Sequence, residues 1–188
     1  MNFNRKLILA SNSPRRKELL GKLGLPFAVK VKEVPEEYPA HLQRKEVAEY
    51  LANHKAEAYL ADLQDEILIT ADTIVCLDDL VLNKPIDAAD AVRMLRHLSG
   101  QVHEVITGVC LRSRDKKDLF HDVTRVHFRE LLETEIEYYV QTYQPYDKAG
   151  AYGAQEWMGM VAIDRIEGSY FNVMGLPVHQ VYTHLMQF

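Results

Sequence analysis

The sequence predicts an α/β protein with a mixed, twisted sheet flanked by helices, because strand-like apolar runs alternate with helical patterns. The apolar run Leu7–Leu9 breaks off into a polar turn, and a helix is predicted directly after it over Pro14–Leu23. By contrast, Val102–Arg112 and Leu119–Arg129 are strand-like runs joined by a short polar turn, which is typical of an antiparallel hairpin. Crossover-type and hairpin connections together predict parallel and antiparallel pairs in one sheet.

Length and composition fit one folded unit. A chain of 188 residues can bury a sizeable core, and we expect residues 1–188 to form one domain, or one domain with a smaller lobe. Hydrophobic residues make up 47% and charged residues 26%, which are ordinary globular values. No apolar run reaches membrane-spanning length and none at the start resembles a signal peptide, so we expect a cytoplasmic protein without membrane contact.

The charge and the metal-binding residue types narrow the partners. The formal net charge of -5 argues against broad binding to nucleic acid, although a local basic pocket for a small anion is compatible with it. Cys76 and Cys110 stand alone in apolar stretches, which indicates buried free thiols rather than a disulfide or a zinc site. The 8 histidines show no metal-ligand spacing.

The other predicted elements follow from local patterns. They are a helix over Arg44–Asp62, a strand over Glu66–Leu77 with a turn at Asp78 and Asp79, a helix capped by Asp87 and ended by Gly100, a helix with a Thr134 and Glu137 capping box that stops before Pro145, a strand over Met160–Ile166, and a helix after Pro177.

The helix predicted over Arg44–Asp62 carries a lysine on its apolar side. Lys55 follows Leu51 by four residues, so both lie on one helical stripe. Such a lysine either extends its ammonium group to the edge of the apolar face, which is the commoner case, or forms a partly buried amine that faces an anion.

The helix that follows the first strand starts with two arginines. Ser13 can cap the free N–H groups and Pro14 suits the first helical position. A helix N-terminus carries partial positive charge, so Arg15 and Arg16 are mildly unfavourable there unless they share an anion such as a phosphate. The simpler alternative is a pair of solvated surface charges.

Two further segments are not explained by local folding. Asp72 interrupts an apolar strand, where a carboxylate is costly unless it is paired or binds a metal, and Lys84 ends the same unit as a second positive group. In YDKAGAYGAQEW, Gly150 and Gly153 either let the backbone pass close to a ligand or mark an ordinary turn. Gln155 in that segment could read a nucleobase edge, because its amide offers a donor and an acceptor.

The segments LASNSPRRKELL, ADTIVCLDDLVLNKP, LSGQVHEVITGV, YDKAGAYGAQE and IEGSYFNVMGLP, in this order, resemble the Maf family of nucleoside triphosphate pyrophosphatases over nearly the whole chain. The resemblance implies hydrolysis between the α and β phosphates, which gives the monophosphate and pyrophosphate and uses a divalent metal, Mg²⁺ or Mn²⁺. It also implies a Maf/ITPase-like fold with a nucleotide cleft between two lobes, and a homodimer.

The resemblance implies roles for individual residues. Asp72 matches the motif aspartate, taken as general base or metal ligand, and Glu36 matches an acidic site residue, with Glu37 as its competitor in a loosely aligned segment. The residues expected to bind the triphosphate are Ser11, Ser13, Arg15, Arg16, Lys55 and Lys84.

Within the family, one subgroup favours dTTP and UTP. It is similar in having the residues that stand here as Arg15, Thr73 and Gln155. Asn83, Glu156 and Trp157 depart from the common pattern, which affects the prediction of fine specificity more than that of catalysis. Family members are also associated with septum formation, so a nucleotide-binding regulator of cell division without significant turnover is the alternative, and a phosphatase that releases single phosphates is a more distant one.

Overall fold

The computed structural model describes residues 5–188, in which the strands form a single seven-stranded mixed sheet. The strands are β1 (Leu7–Leu9), β2 (Phe27–Val29), β3 (Ile67–Leu77), β4 (Leu80–Leu82), β5 (Val102–Arg112), β6 (Lys117–Phe128) and β7 (Ile163–Glu167). The helices are α1 (Pro14–Gly21), α2 (Lys45–Glu57), α3 (Ala88–Leu98), α4 (Glu133–Tyr143), α5 (Trp157–Ala162), α6 (Tyr170–Val173) and α7 (Val178–Gln187).

The pairing of the strands confirms the mixed sheet. Its order is β2-β1-β3-β5-β6-β7, with β1 parallel to both β2 and β3 and the remaining pairs antiparallel. The predicted hairpin is present, since β5 and β6 pair from Val102 opposite His127 to Arg112 opposite Lys117.

One edge of β3 is left partly open. Residues 68–76 pair with β5 on one side, whereas on the other side β1 covers only 67–69 and β4 only 75–77. The stretch from Thr70 to Ile74 therefore has no strand partner on that edge. Because the turn after β1 ends beside this gap, the gap is where a ligand can approach the carboxyl end of a parallel strand.

The two faces of β3 are packed differently. Leu68, Ile74 and Cys76 face α2, which approaches closely because Gly108 on β5 has no side chain: a Cβ there would lie 2.3 Å from the carbonyl oxygen of Ala48. On the other face, the first half of β3 packs against α1 and α7, and its second half packs against α3, α4 and α5. The division of residues 1–188 into two lobes at this point stays a prediction.

Several local predictions hold. Cys76 and Cys110 are buried free thiols, as expected. Asp87 caps α3 by accepting the backbone N–H of Asp90 at 2.8 Å. No helix among residues 5–188 is long and apolar enough to cross a bilayer.

Two predictions about the ends of helices were wrong. The helix predicted over Arg44–Asp62 ends at Glu57, and a separate 3-10 turn covers Leu60–Asp62. The capping box of α4 uses Glu135, which accepts the N–H of Leu132 at 2.9 Å, instead of Thr134 and Glu137. Glu135 also binds the guanidinium group of Arg129, a partner from β6's end that local spacing does not show.

The strand predicted over Met160–Ile166 was also wrong at its start. Residues 157–162 form α5, and the strand begins at Ile163. Met158 and Ala162 are both fully buried, and their spacing of four residues puts them on one helical face. The short elements β2, β4 and α6 were not predicted, because three or four residues carry too little periodicity.

Candidate functional site

A cleft of about 910 Å³ lies at the open edge of β3. It is lined by the turn after β1 and the start of α1 (residues 10–16), the segment 31–36, Lys55, Tyr59, Ala71, Thr73, Val75, Lys84, Val105, most of 147–155, and 173–175. This one cleft is lined by nine of the residues that the sequence predicts in a site: Ser11, Ser13, Arg15, Arg16, Glu36, Lys55, Thr73, Lys84 and Gln155.

The turn after β1 is held by its own side chains. The Ser13 hydroxyl accepts the backbone N–H of Arg16 at 3.4 Å, and the Ser11 hydroxyl accepts the N–H of Ser13 at 3.2 Å. Pro14 occupies the first turn, so it leaves one fewer N–H group to be satisfied. The start of α1, with its partial positive charge, therefore faces the cleft in a fixed conformation.

Arg16 is bound on all sides by the protein. Its Nε donates to the carbonyl oxygen of Gly175 at 2.8 Å, its Nη1 to that of Ala71 at 2.8 Å, and its Nη2 to the hydroxyl of Thr73 at 2.9 Å. Burial lowers the pKa of Arg16 from its ordinary value, while the nearby carboxylate of Asp72 opposes this change. The side chain thus satisfies the open edge of β3 and fixes a positive charge beside it.

Arg15 is held more loosely. Its Nη1 contacts Oδ2 of Asp147 at 3.3 Å, and its side chain is 24% exposed. This single ion pair connects the start of α1 with the segment 147–155 across the cleft. A partly exposed pair of this kind can exchange its partner for a ligand anion at little cost.

Asp72 and Lys55 form the most buried ion pair of the site. The residue Asp72 is 8% exposed, and the ammonium group of Lys55, on α2, contacts its carboxylate directly. The same ammonium group donates to Oε1 of Glu36 at 2.8 Å. Lys55 is therefore the partly buried amine that faces anions, and Asp72 is the paired buried carboxylate that its apolar strand required. Lys55 lines the cleft, whereas Asp72 does not and is connected to the cleft through this ion pair.

Glu36 connects two lysines. Its Oε2 accepts from Lys84 at 2.7 Å, while its Oε1 accepts from Lys55. Burial alone would raise the pKa of Glu36, but the hydrogen bonds and charges of the two lysines outweigh burial and lower it to about 2. Glu37, the competitor from the loosely aligned segment, does not line the cleft.

Hydroxyl groups connect the floor of the cleft to the segment 172–175. The hydroxyls of Thr73 and Thr107 lie 2.9 Å apart, and that of Thr107 donates to the carbonyl oxygen of Asn172 at 3.3 Å. The buried Asn172 amide donates in turn to the carbonyl oxygen of Val105 and to the hydroxyl of Thr124. Thr73 is consequently fixed from two sides.

A second group of contacts, which the sequence did not reveal, lies behind the segment 147–155. Lys148 is buried, and its ammonium group contacts Asp147 at 2.6 Å and Glu156 at 3.0 Å. The hydroxyl of Tyr139 donates to the other oxygen of Glu156 and accepts the N–H of Gly153 at 3.1 Å. Lys148 and Glu156 stand in a segment that the sequence singled out, but nothing local links them to Tyr139 on α4.

The donor set of the site suits a hard divalent cation. Asp72 and Glu36 already share one cation, the ammonium group of Lys55, so two carboxylates converge on one positive charge. Among residues 5–188, no group of three or more His, Cys, Asp or Glu side chains is placed to hold a metal. A pair of carboxylates completed by substrate phosphates and water is the usual protein environment of Mg²⁺.

The chain is similar to known proteins over nearly its whole length. The family model described as Maf-like protein matches residues 6–188. A Porphyromonas gingivalis protein named dTTP/UTP pyrophosphatase is 51% identical over 187 residues, covering 97% of this chain and 94% of the relative. A Bacteroides fragilis protein of the same name is 53% identical over 184 residues, covering 97% and 95%.

The solved structure of a HAM1 protein from Coxiella burnetii has a TM-score of 0.52 at 14% identity, covering 98% of this chain and 100% of that one. At this identity the likeness concerns the fold alone, and it confirms the expected α/β class. The family match and the sequence relatives show that this chain belongs to the Maf family.

Proposed function

We propose that this protein hydrolyses dTTP and UTP to the nucleoside monophosphate and pyrophosphate. The observation that carries the proposal is the buried carboxylate of Asp72, which contacts Lys55 at the edge of a cleft lined by cations. A protein that only bound a nucleotide would gain nothing from a buried carboxylate among phosphate-binding groups. The names of the Porphyromonas and Bacteroides relatives support the same reaction.

The residues around Asp72 suit it to the role of general base. Water that attacks phosphorus must lose a proton, and a carboxylate at the site can accept that proton. The ammonium group of Lys55 contacts the carboxylate of Asp72 and fixes its direction. The water oxygen bonds to the α phosphorus. The bond from the α phosphorus to the oxygen that bridges the α and β phosphates breaks, and pyrophosphate leaves.

The cations supply electrostatic stabilisation. Phosphoryl transfer depends mainly on positioning and on neutralising charge on the phosphate oxygens. Arg15 is partly exposed, Lys84 is half-exposed, and each is paired with one carboxylate, so both can turn to a triphosphate. The fixed guanidinium of Arg16 and the turn containing Ser11 and Ser13 add a preset positive wall.

A divalent metal, Mg²⁺ or Mn²⁺, would be held by Asp72 and Glu36. When bound, such an ion neutralises phosphate charge and lowers the pKa of a coordinated water. Asp72 and Glu36 are the two carboxylates that share the ammonium group of Lys55.

Base recognition is assigned to the wall that carries Gln155. Uracil and thymine present an N–H donor beside a carbonyl acceptor, and a glutamine amide can match both. Arg15 and Thr73 complete the expected subgroup set, and both line the cleft with Gln155.

The proposal is tested by measuring pyrophosphate release from a panel of canonical and modified nucleoside triphosphates with Mg²⁺ or Mn²⁺. Asp72→Asn is the inactive variant, and Asp79→Asn is the matched control, since Asp79 is exposed in the turn after β3. We expect release from dTTP and UTP by the wild type and the control, and none by Asp72→Asn. Nucleotide binding without release across the whole panel would favour the regulatory alternative instead.

The homodimer that the family resemblance implies is a separate proposal. Sedimentation equilibrium of the purified protein tests it, with a mass near twice 21.6 kDa as the expected result.

A further inference from the structure

The wall of the cleft that carries Gln155 is built on a tyrosine that does not itself line the cleft. Tyr139 is fully buried on α4, and its hydroxyl group makes two contacts with the segment 153–156. It accepts the N–H of Gly153 and donates to the carboxylate of Glu156, so it contacts this segment on both sides of Gln155.

The charge of Glu156 is balanced within the same wall. Its second carboxylate oxygen lies 3.0 Å from the ammonium group of Lys148, whose side chain is only 9% exposed. Lys148 also contacts Asp147, the residue that meets Arg15. The contacts therefore run without a break from the buried hydroxyl to the start of α1.

The path of the backbone depends on a glycine. A Cβ atom at Gly153 would lie 2.9 Å from the carboxylate carbon of Glu156, closer than side chains normally approach. Gly153 thus lets Glu156 fold back over the turn and reach both Tyr139 and Lys148.

The hydroxyl of Tyr139 is a permanent donor. Burial raises the pKa of Tyr139 far above its ordinary value, and the hydrogen bond and charge of Glu156 raise it further. The tyrosine hydroxyl therefore keeps its proton at neutral pH and donates a hydrogen bond to Glu156.

We propose that Tyr139 and Glu156 are positioning residues for base selection: they hold the segment 153–156 so that the amide of Gln155 meets a uracil-type edge in one orientation. The inference rests on the proposed function. Uracil presents a donor and then an acceptor where cytosine presents an acceptor and then a donor. A glutamine on a loose segment can approach a base from several positions, whereas the backbone on both sides of Gln155 is held, which limits the positions from which its amide can reach the base.

The test compares Tyr139→Phe with Tyr138→Phe. Both variants lose one hydroxyl from adjacent positions of α4, and both keep the ring, but the exposed Tyr138 packs on Trp157 by its ring alone. The readout is the dissociation constant of the non-hydrolysable α,β-methylene analogue of dCTP divided by that of the dTTP analogue, both measured by calorimetry with Mg²⁺. We expect Tyr139→Phe to reduce this ratio by about tenfold, the size of one lost hydrogen bond, and Tyr138→Phe to leave it unchanged.

A second variant guards against a folding defect. Glu156→Gln keeps an oxygen acceptor for Tyr139 and removes only the charge that faces Lys148, so we expect it to fold and to lose selectivity by a smaller factor. The thermal midpoint of each variant separates lost stability from lost selectivity.

The outcomes of the two proposals differ. An unchanged analogue ratio in both Tyr139→Phe and Glu156→Gln overturns the positioning role, even if the wild type hydrolyses dTTP. A wild type that selects the dTTP analogue but releases no pyrophosphate contradicts the proposed function, and the ratio in the variants still decides the positioning role. A wild type that binds both analogues equally overturns base reading by Gln155 and the inference together.

Discussion

Two walls of the cleft use charged side chains in different ways. The charged edge consists of Glu36, Lys55, Asp72 and Lys84, whose ion pairs are partly exposed except at Asp72 and Lys55. The tyrosine wall consists of Tyr139, Lys148, Gly153 and Glu156, and there a buried hydroxyl and a buried ammonium group fix the backbone.

The difference separates chemistry from recognition. In the proposed reaction the charged edge exchanges its own ion pairs for phosphate oxygens during each turnover, so exposure at Glu36 and Lys84 suits it. In the proposed base recognition the tyrosine wall holds the amide of Gln155 towards a base and gains from contacts that do not change. The substitutions that follow change one of these two walls or the arginines at the start of α1.

The largest effect is expected at the charged edge. Asp72→Asn removes the negative charge that accepts a proton, so we expect kcat to fall by about a thousandfold. Binding of the α,β-methylene analogue of dTTP should change little, because the arginines and Lys84 remain. Steady-state kinetics and calorimetry on the same preparations check this, and activity near that of the wild type would rule out Asp72 as the base.

The two arginines should differ in their effect on stability. Arg16→Lys loses the fork that donates to Gly175, Ala71 and Thr73, so we expect the free energy of unfolding to fall by about 2 kcal/mol. Arg15→Lys changes only a partly exposed ion pair and should cost less than about 0.5 kcal/mol. Urea denaturation measures both, and equal losses would contradict the structural role of Arg16.

The tyrosine wall is probed directly at Gln155. Gln155→Glu replaces the donating half of the amide by a second acceptor, which opposes a carbonyl oxygen of uracil. We expect kcat/KM for dTTP and UTP relative to CTP and GTP to fall by about tenfold. An unchanged rank order of the four nucleotides would remove Gln155 from base reading.

The smallest effect concerns the pH dependence of stability. Glu36 has a pKa of about 2 in the folded protein and an ordinary value of 4.5, so its ionised form stabilises the fold above pH 4.5. This contribution is lost as the pH falls from 4.5 towards 2. Because Glu36 is half-exposed, we expect the stability advantage of the wild type over Glu36→Gln to shrink by only about 1 kcal/mol over that range. Denaturation curves between pH 6 and pH 3 measure it, and a constant difference would contradict the shifted pKa.

Asp72 and Lys55 of the charged edge could be predicted because each leaves a local anomaly in the sequence, whereas Glu36 followed only from the family resemblance. Asp72 interrupts an apolar strand and Lys55 interrupts an apolar helix face, and both anomalies have the same solution, an ion pair. The strands β5 and β6 were also predictable, since long runs carry clear periodicity.

The tyrosine wall could not be predicted in the same way. Tyr139 looks like any core residue of an amphipathic helix, and only the tertiary packing of α4 brings its hydroxyl to Gly153. The start of α5 was missed because residues 157–162 form a short apolar run, and such a run is compatible with either a helix or a strand. The cap of α4 was misassigned because Glu135 binds Arg129, which follows the end of β6, and local spacing does not show this contact.

The proposed reaction cleaves a nucleoside triphosphate between its α and β phosphates. The most direct measurement is ³¹P nuclear magnetic resonance of dTTP incubated with the wild type and Mg²⁺. We predict equal amounts of dTMP and pyrophosphate from the first time point, with no dTDP. Orthophosphate and dTDP as first products would contradict the claim and identify a phosphatase instead.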